Sequence, residues 1–130
     1  MLRFEVAALY LGNFVLKLRS PAWRSGVVMF DLLHNPNFAR AGVPAWLARR
    51  EVARWLTWGA LAAELAFGPA LLFQPTAAIA CVAAITFHAA IARLVDVHLF
   101  SAVMIAALIA CWPMGSVRWC SWPATPASRR

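Results

Sequence analysis

Acidic residues, histidine and cysteine are all scarce in this sequence. Its 130 residues include five acidic residues, three histidines and three cysteines. The cysteines, Cys81, Cys111 and Cys120, form no C-x-x-C pair, which excludes a thioredoxin-like redox motif and a zinc ribbon. The histidines show no haem-type pairing, which argues against a quinone-linked redox subunit. No metal site is predicted, and the few groups capable of chemistry must be judged by where they stand.

Basic residues are numerous by contrast: the twelve lysines and arginines give the chain a formal net charge of +7. Most of the arginines flank apolar runs, a placement typical of anchoring at a membrane surface. Nucleic-acid recognition would need a basic stripe interleaved with exposed aromatic residues on a soluble fold, and the sequence has none. No nucleic-acid partner is predicted.

The overall composition is that of a membrane protein. Hydrophobic residues make up 63% of the chain and the mean hydropathy is +0.70, whereas soluble domains are about 45–50% apolar. Seven tryptophans fit an aromatic belt at the membrane–water interface. We expect an integral membrane protein in a lipid bilayer, the plasma membrane of a bacterium.

The hydrophobic pattern predicts an all-α fold with four hydrophobic helices and one amphipathic interfacial helix. The hydrophobic helices are Phe4–Leu18, a helix from about Pro44 to Phe73, Thr76–Val97 and Leu99–Trp112. The amphipathic helix is Ser20–Leu33, with Ser20 as its N-cap and Pro21 in its first turn.

Prolines mark the interruptions of this pattern. Pro69 is expected to kink the second hydrophobic helix, and Gln74-Pro75 to form a tight turn after it. Residues 1–113 are predicted to form a single transmembrane domain, and 114–130 an interfacial to disordered tail.

Six ionisable residues lie inside the apolar segments or at their ends: Lys17, Glu64, His88, Arg93, Asp96 and His98. A charge in the hydrocarbon core costs roughly 2.5–3.5 kcal/mol even on the mildest scales, which suggests that these residues have a function. Glu64 stands 11 residues before Pro75 and His88 stands 13 after it. At 1.5 Å per residue their depths differ by about 3 Å, so we expect them close enough to hydrogen-bond.

The helix topology places the other four groups at one end of the bundle, and each of the six has a purely structural alternative. Lys17 can extend its ammonium to the interface, and Arg93 and Asp96 can form an ion pair on one helix. Glu64 and His88 can form a polar clasp between two helices, and His98 can cap a helix or face water.

Three blocks of residues in fixed order resemble a known family. The blocks are Lys17-Leu18 with Trp23-Arg24-Ser25-Gly26 and Leu33-His34-Asn35-Pro36; Leu56-Thr57-Trp58-Gly59 with Glu64-Leu65 and Pro69; and Phe87-His88 with Leu99-Phe100-Ser101 and Met104. Together they resemble the HTTM (horizontally transferred transmembrane) domain, which is shared with vitamin K-dependent gamma-carboxylase, over roughly residues 8–112.

The resemblance implies that Lys17 is an active-site base that deprotonates vitamin K hydroquinone or a related quinol. Oxygen then converts the quinol into a strong base that removes a proton from the gamma carbon of a peptide glutamate, and CO₂ adds there. His88 is the second candidate catalytic residue. The candidate cofactor-binding residues are Trp23, Glu64, Arg93 and His98.

The chain also departs from the family pattern, which leaves a non-enzymatic alternative open. The family domain usually has several spans before the lysine block, so we expect only its C-terminal part here. Asp96-Val97-His98 also replaces the small apolar residues expected at that point. The alternative is a non-catalytic membrane subunit or truncated remnant that assists a partner in peptide maturation or export. Small residues would let further transmembrane helices approach closely; they are Gly12, Gly59, Ala62, Ala63 and Ala66.

Overall fold

A computed structural model describes residues 1–97 and 99–112, and these residues form six α-helices. The helices are α1 (Leu2–Arg19), α2 (Pro21–Ser25), α3 (Val28–His34), α4 (Arg50–Leu72), α5 (Gln74–Leu94) and α6 (Phe100–Ala110). The all-helical prediction is confirmed for this part of the chain. The predicted tail 114–130 and the side chain of His98 lie outside the described residues.

The four hydrophobic helices form the bundle that carries the site. α4 packs along α1 on one side and against α5 on another, and α6 packs against α5. Their shared core contains Tyr10, Leu71, Cys81 and Leu108, each at most 1% exposed. Gly68 lets α1 approach α4 closely, because a Cβ atom there would lie 2.8 Å from Leu11 Cγ.

The predicted amphipathic helix Ser20–Leu33 is wrong as a single element, because it is divided into α2 and α3. The break occurs at Gly26, whose φ of 76° is left-handed. A Cβ atom at this position would lie 2.6 Å from Arg54 Cγ, so both the conformation and the close approach to α4 require glycine. Ser20 and Pro21 do occupy the predicted N-cap and first-turn positions, although the Ser20 side chain makes no capping hydrogen bond.

Two other helix boundaries differ from the prediction near α4. α4 begins at Arg50 rather than near Pro44, because Arg49 is extended and Leu47 N instead closes a short turn on Pro44 O. The turn before α5 is Phe73 alone, since Gln74 already belongs to α5. α4 continues past Pro69 to Leu72.

α5 ends at Leu94 rather than at Val97. The backbone leaves the helix to pair with the loop before α4: Arg40 N donates to Leu94 O over 3.2 Å and Asp96 N donates to Phe38 O over 2.6 Å. Ala39 and Val95 thus form an isolated antiparallel bridge. This pairing satisfies backbone groups that a further helical turn would have satisfied.

Two helices, α4 and α5, are long and apolar enough to cross a membrane. Only 33% and 28% of the apolar 18-residue stretches of α4 and α5 are buried within the protein. Most of their apolar surface therefore faces outward, unlike that of a core helix in a soluble protein. α1 has 18 residues and α6 has 11, which correspond to about 27 and 16 Å.

Candidate functional site at the Lys17–Glu64 pair

The centre of the site is an ion pair between Lys17 near the end of α1 and Glu64 in the middle of α4. Lys17 Nζ donates to Glu64 Oε1. The Glu64 side chain is 3% exposed and the Lys17 side chain 23%, so the carboxylate is buried while the lysine side chain is partly exposed. Such a pair lowers the cost of burying each charge.

The Trp23 ring lies next to the Lys17 ammonium. Its ring centroid is 4.5 Å from Lys17 Nζ, a distance at which the face of an indole attracts a cation. The turn at Ser20 places α2 back over the end of α1, since Ser20 is extended and Pro21 starts the next helix. Of the sequence-predicted residues, Lys17 therefore contacts both Glu64 and Trp23.

His88 belongs to a neighbouring polar contact and does not bond to Glu64 as the depth calculation suggested. Its Nε2 atom lies 2.9 Å from Tyr10 Oη, and the two residues are each 1% exposed. The predicted Glu64–His88 hydrogen bond is wrong, because α1 supplies a different partner to each residue: Lys17 to Glu64 and Tyr10 to His88. Equal depth alone does not decide which side chains meet.

Aromatic rings surround His88. The ring centroids of Phe87 and Phe100 lie 5.4 and 5.7 Å from that of the imidazole, both in edge-to-face geometry. Phe67 packs edge-on against Tyr10 at 5.6 Å. The imidazole is thus held in a mostly apolar setting.

Tyr10 was missed as a site residue when the sequence was considered alone. It is the one tyrosine of the chain and stands seven residues before Lys17, which is two helical turns and so the same face of α1. That spacing is the signal that could have found it.

Three buried polar atoms have no hydrogen-bond partner among the described residues: Glu64 Oε2, His88 Nδ1 and Ser101 Oγ. They belong to α4, α5 and α6. Buried polar atoms are ordinarily paired, so these three stand out as groups that the described residues leave unsatisfied.

Thr57 of α4 forms a hydrogen bond that holds α3 against α4. Its hydroxyl donates to Ala53 O over 2.9 Å and accepts from Met29 N over 3.1 Å. The side chain is fully buried. This contact fixes α3 on α4, and α3 continues the segment that carries Trp23.

The remaining predicted site residues lie away from these contacts. Arg93 is exposed in the last turn of α5 and forms no hydrogen bond or ion pair with Lys17, Glu64 or His88. Asp96 pairs with Arg40, with 3.5 Å between the charged atoms. His98 lies outside the described residues, as noted above. Within residues 1–97 and 99–112 no cluster of side chains could hold a metal ion.

Comparison with known proteins gives one result. A family model described as the HTTM domain matches residues 1–115. No curated protein and no protein of solved structure matches the chain.

Proposed function

The chain belongs to the HTTM domain family, a family of membrane domains, and from this premise we propose that it is a carboxylase-like membrane domain that binds a quinol and uses Lys17 as a base. The observation that carries the proposal is the contact of a partly exposed Lys17 with a buried Glu64 and the Trp23 ring. Lysine is a base only as a neutral amine, so the partner that can take its proton matters.

Glu64 is that partner. Moving a proton from Lys17 Nζ to Glu64 Oε1 converts an ion pair into an amine and a carboxylic acid without changing the net charge. In this proposal Glu64 stores the proton, and Lys17, which is then neutral, accepts the next one from the ligand.

Unpartnered polar atoms and neighbouring aromatic rings support the proposal of a flat, hydroxyl-bearing ligand. The unpartnered atoms Glu64 Oε2, His88 Nδ1 and Ser101 Oγ are suited to ligand hydroxyl or carbonyl groups, and Phe87 and Phe100 offer apolar surface beside His88. When bound, a reduced vitamin K-type quinol supplies an acidic hydroxyl and the electrons for reaction with oxygen. The peptide glutamate remains the proposed substrate.

The test is epoxide formation by membranes that contain the full chain. They receive reduced vitamin K, bicarbonate and oxygen, and epoxide is followed by chromatography. We expect product from the wild type and a loss of about 10²-fold or more in Lys17→Arg, because arginine keeps the cation beside Glu64 but does not act as a base. Thr86→Ala, which removes an exposed hydroxyl on α5, should retain full activity.

Two results would contradict the proposal. Full activity in Lys17→Arg would show that another group is the base. Lack of epoxide from the wild type, with the folded chain present in the membrane, would favour the second candidate function below.

The second candidate is a non-catalytic membrane subunit, and the outward face of α1 favours it. That face forms an open groove of about 500 Å³ lined by Glu5, Ala8, Leu9, Gly12, Asn13 and Leu16. Apart from its chain neighbours and the surrounding helix backbone, no described atom lies within 4 Å of the position that a Cβ atom would take on Gly12, so a further transmembrane helix could approach closely there. Gly12→Leu should then abolish co-purification of a partner helix and leave the isolated chain as stable as the wild type.

A further inference from the structure

A second site lies on the outward side of α4, near its start. Glu51, Arg54, Trp55 and Trp58 line a groove of about 440 Å³. None of the four belongs to the Lys17–Glu64 contacts, so the inference below is independent of the proposed function. Arg54 is the fifth residue of a 23-residue helix able to cross a membrane, which places the groove at the level of an interface.

The charges of the groove are unpaired in the structure. The two ion pairs among residues 1–97 and 99–112 are Lys17–Glu64 and Arg40–Asp96, so neither the Arg54 guanidinium nor the Glu51 carboxylate is neutralised by a described residue. These two side chains are three residues apart and project from the same side of the helix, about one turn from each other. The groove therefore offers one cation and one anion side by side.

Two indoles complete the groove. Trp55 is 78% exposed and Trp58 38%, and in a bilayer such outward-facing rings lie at the headgroup level. Their faces attract cations and their ring N–H groups donate hydrogen bonds.

Two side chains of the groove pack against the backbone of Gly26. The hypothetical Cβ position on Gly26 lies 2.6 Å from Arg54 Cγ and 3.1 Å from Trp58 Nε1. The side chains of Arg54 and Trp58 thus pack directly on the turn between α2 and α3. A long arginine side chain fixed along its stem loses less freedom when its guanidinium binds a ligand.

We propose that this groove binds a membrane phospholipid with a zwitterionic phosphoethanolamine headgroup. Arg54 receives the phosphate through charge-assisted hydrogen bonds, and Glu51 receives the ammonium. The indoles cover the headgroup between them, and the acyl chains lie along the apolar outer surface of α4. A purely anionic headgroup would bring negative charge against Glu51, which selects against it.

The proposal is tested by native mass spectrometry of the full chain released from detergent micelles. The micelles carry phosphatidylethanolamine, phosphatidylglycerol or phosphatidylcholine with identical acyl chains. We expect phosphatidylethanolamine to be retained most. Arg54→Gln should reduce its retention about tenfold, the effect of losing one charge-assisted hydrogen bond. Glu51→Gln should reduce it to the level of phosphatidylcholine. Arg50→Gln, an exposed neighbour that does not line the groove, should change it by less than about twofold.

Two glycines provide a matched pair of variants that tests whether the packing of Arg54 and Trp58 on Gly26 matters for lipid binding. Gly26 and Gly42 both have positive φ, 76° and 88°, so alanine strains the backbone at each. Of the two, only Gly26 has side-chain atoms against it, because apart from its chain neighbours no described atom lies within 4 Å of the hypothetical Cβ on Gly42. Gly26→Ala should weaken phosphatidylethanolamine retention and Gly42→Ala should leave it unchanged.

Three results would overturn the proposal. The first is equal retention of the three lipids by the wild type, or a preference for phosphatidylglycerol, which would assign the groove to anionic lipids. The second is unchanged retention in Arg54→Gln. The third is equally tight binding of soluble glycerophosphoethanolamine, which would point to a free headgroup as the ligand.

Discussion

Lys17 and Glu64, 47 residues apart in the sequence, form an ion pair that joins α1 to α4. The pair couples the candidate chemistry to the packing of the bundle, since the same two side chains hold two helices together. Tyr10 and His88 make the equivalent connection between α1 and α5. α1 therefore carries both polar contacts, and its position against its neighbours decides the geometry of the site.

Removing one partner of the Lys17–Glu64 pair should destabilise the bundle. Glu64→Leu leaves the Lys17 ammonium without its anion, and the expected loss is about 1–3 kcal/mol, less than for a fully buried pair because Lys17 is partly exposed. Unfolding in mixed micelles of increasing denaturing detergent measures it. The double variant Lys17→Met with Glu64→Leu should recover most of the loss. If the double variant is as unstable as the sum of the single ones, the two residues do not act as a pair.

The Tyr10–His88 contact should show similar coupling. Tyr10→Phe keeps the ring but leaves His88 Nε2 buried without its partner, which should cost about 1–3 kcal/mol. In a His88→Phe background the same tyrosine change should cost much less, because no polar atom is then left unpaired. A double-mutant cycle on thermal unfolding in detergent gives the coupling energy, and a coupling of zero would exclude the hydrogen bond.

Two glycines of α4 should respond oppositely to alanine. At Gly68 the added methyl group meets Leu11 Cγ at 2.8 Å, so the α1–α4 contact must open, at an expected cost of about 1–3 kcal/mol. At Gly59 no described atom lies within 4 Å of the added methyl group apart from the chain neighbours and the surrounding helix backbone, and alanine should stabilise the helix by up to about 1 kcal/mol. Thermal melting of both variants in one detergent is the comparison. A Gly68→Ala variant as stable as Gly59→Ala would contradict the close packing.

Thr57→Val should weaken the attachment of α3 to α4. Valine has the same shape but cannot accept from Met29 N, so a buried backbone N–H loses its partner, at about 1–3 kcal/mol. Hydrogen exchange at Met29 should accelerate, since α3 is then held less firmly on α4. Thr86→Val is the control, because Thr86 Oγ1 bonds only within its own helix at an exposed position. Equal exchange at Met29 in wild type and Thr57→Val would refute the contact.

The four hydrophobic helices could be predicted because their apolar runs are long, although the start of α4 and the end of α5 differ from the prediction. Gly26 shows where this reasoning fails: Ser20–Leu33 has a continuous amphipathic period, but its middle glycine is left-handed and lies against Arg54. A periodic pattern carries no information about a neighbour that approaches from 28 residues further along the chain.

The sequence by itself determined that the chain is apolar and helical and that a few ionisable groups lie within its hydrophobic runs. These features follow from composition and from periods of a few residues, which act within a single helix. The tertiary structure decided which ionisable groups meet: Lys17 binds Glu64, and Tyr10 rather than Glu64 binds His88. Those choices depend on the rotation and offset of α1 against α4 and α5, which the packing of whole helix faces sets, including the contact of Leu11 with Gly68.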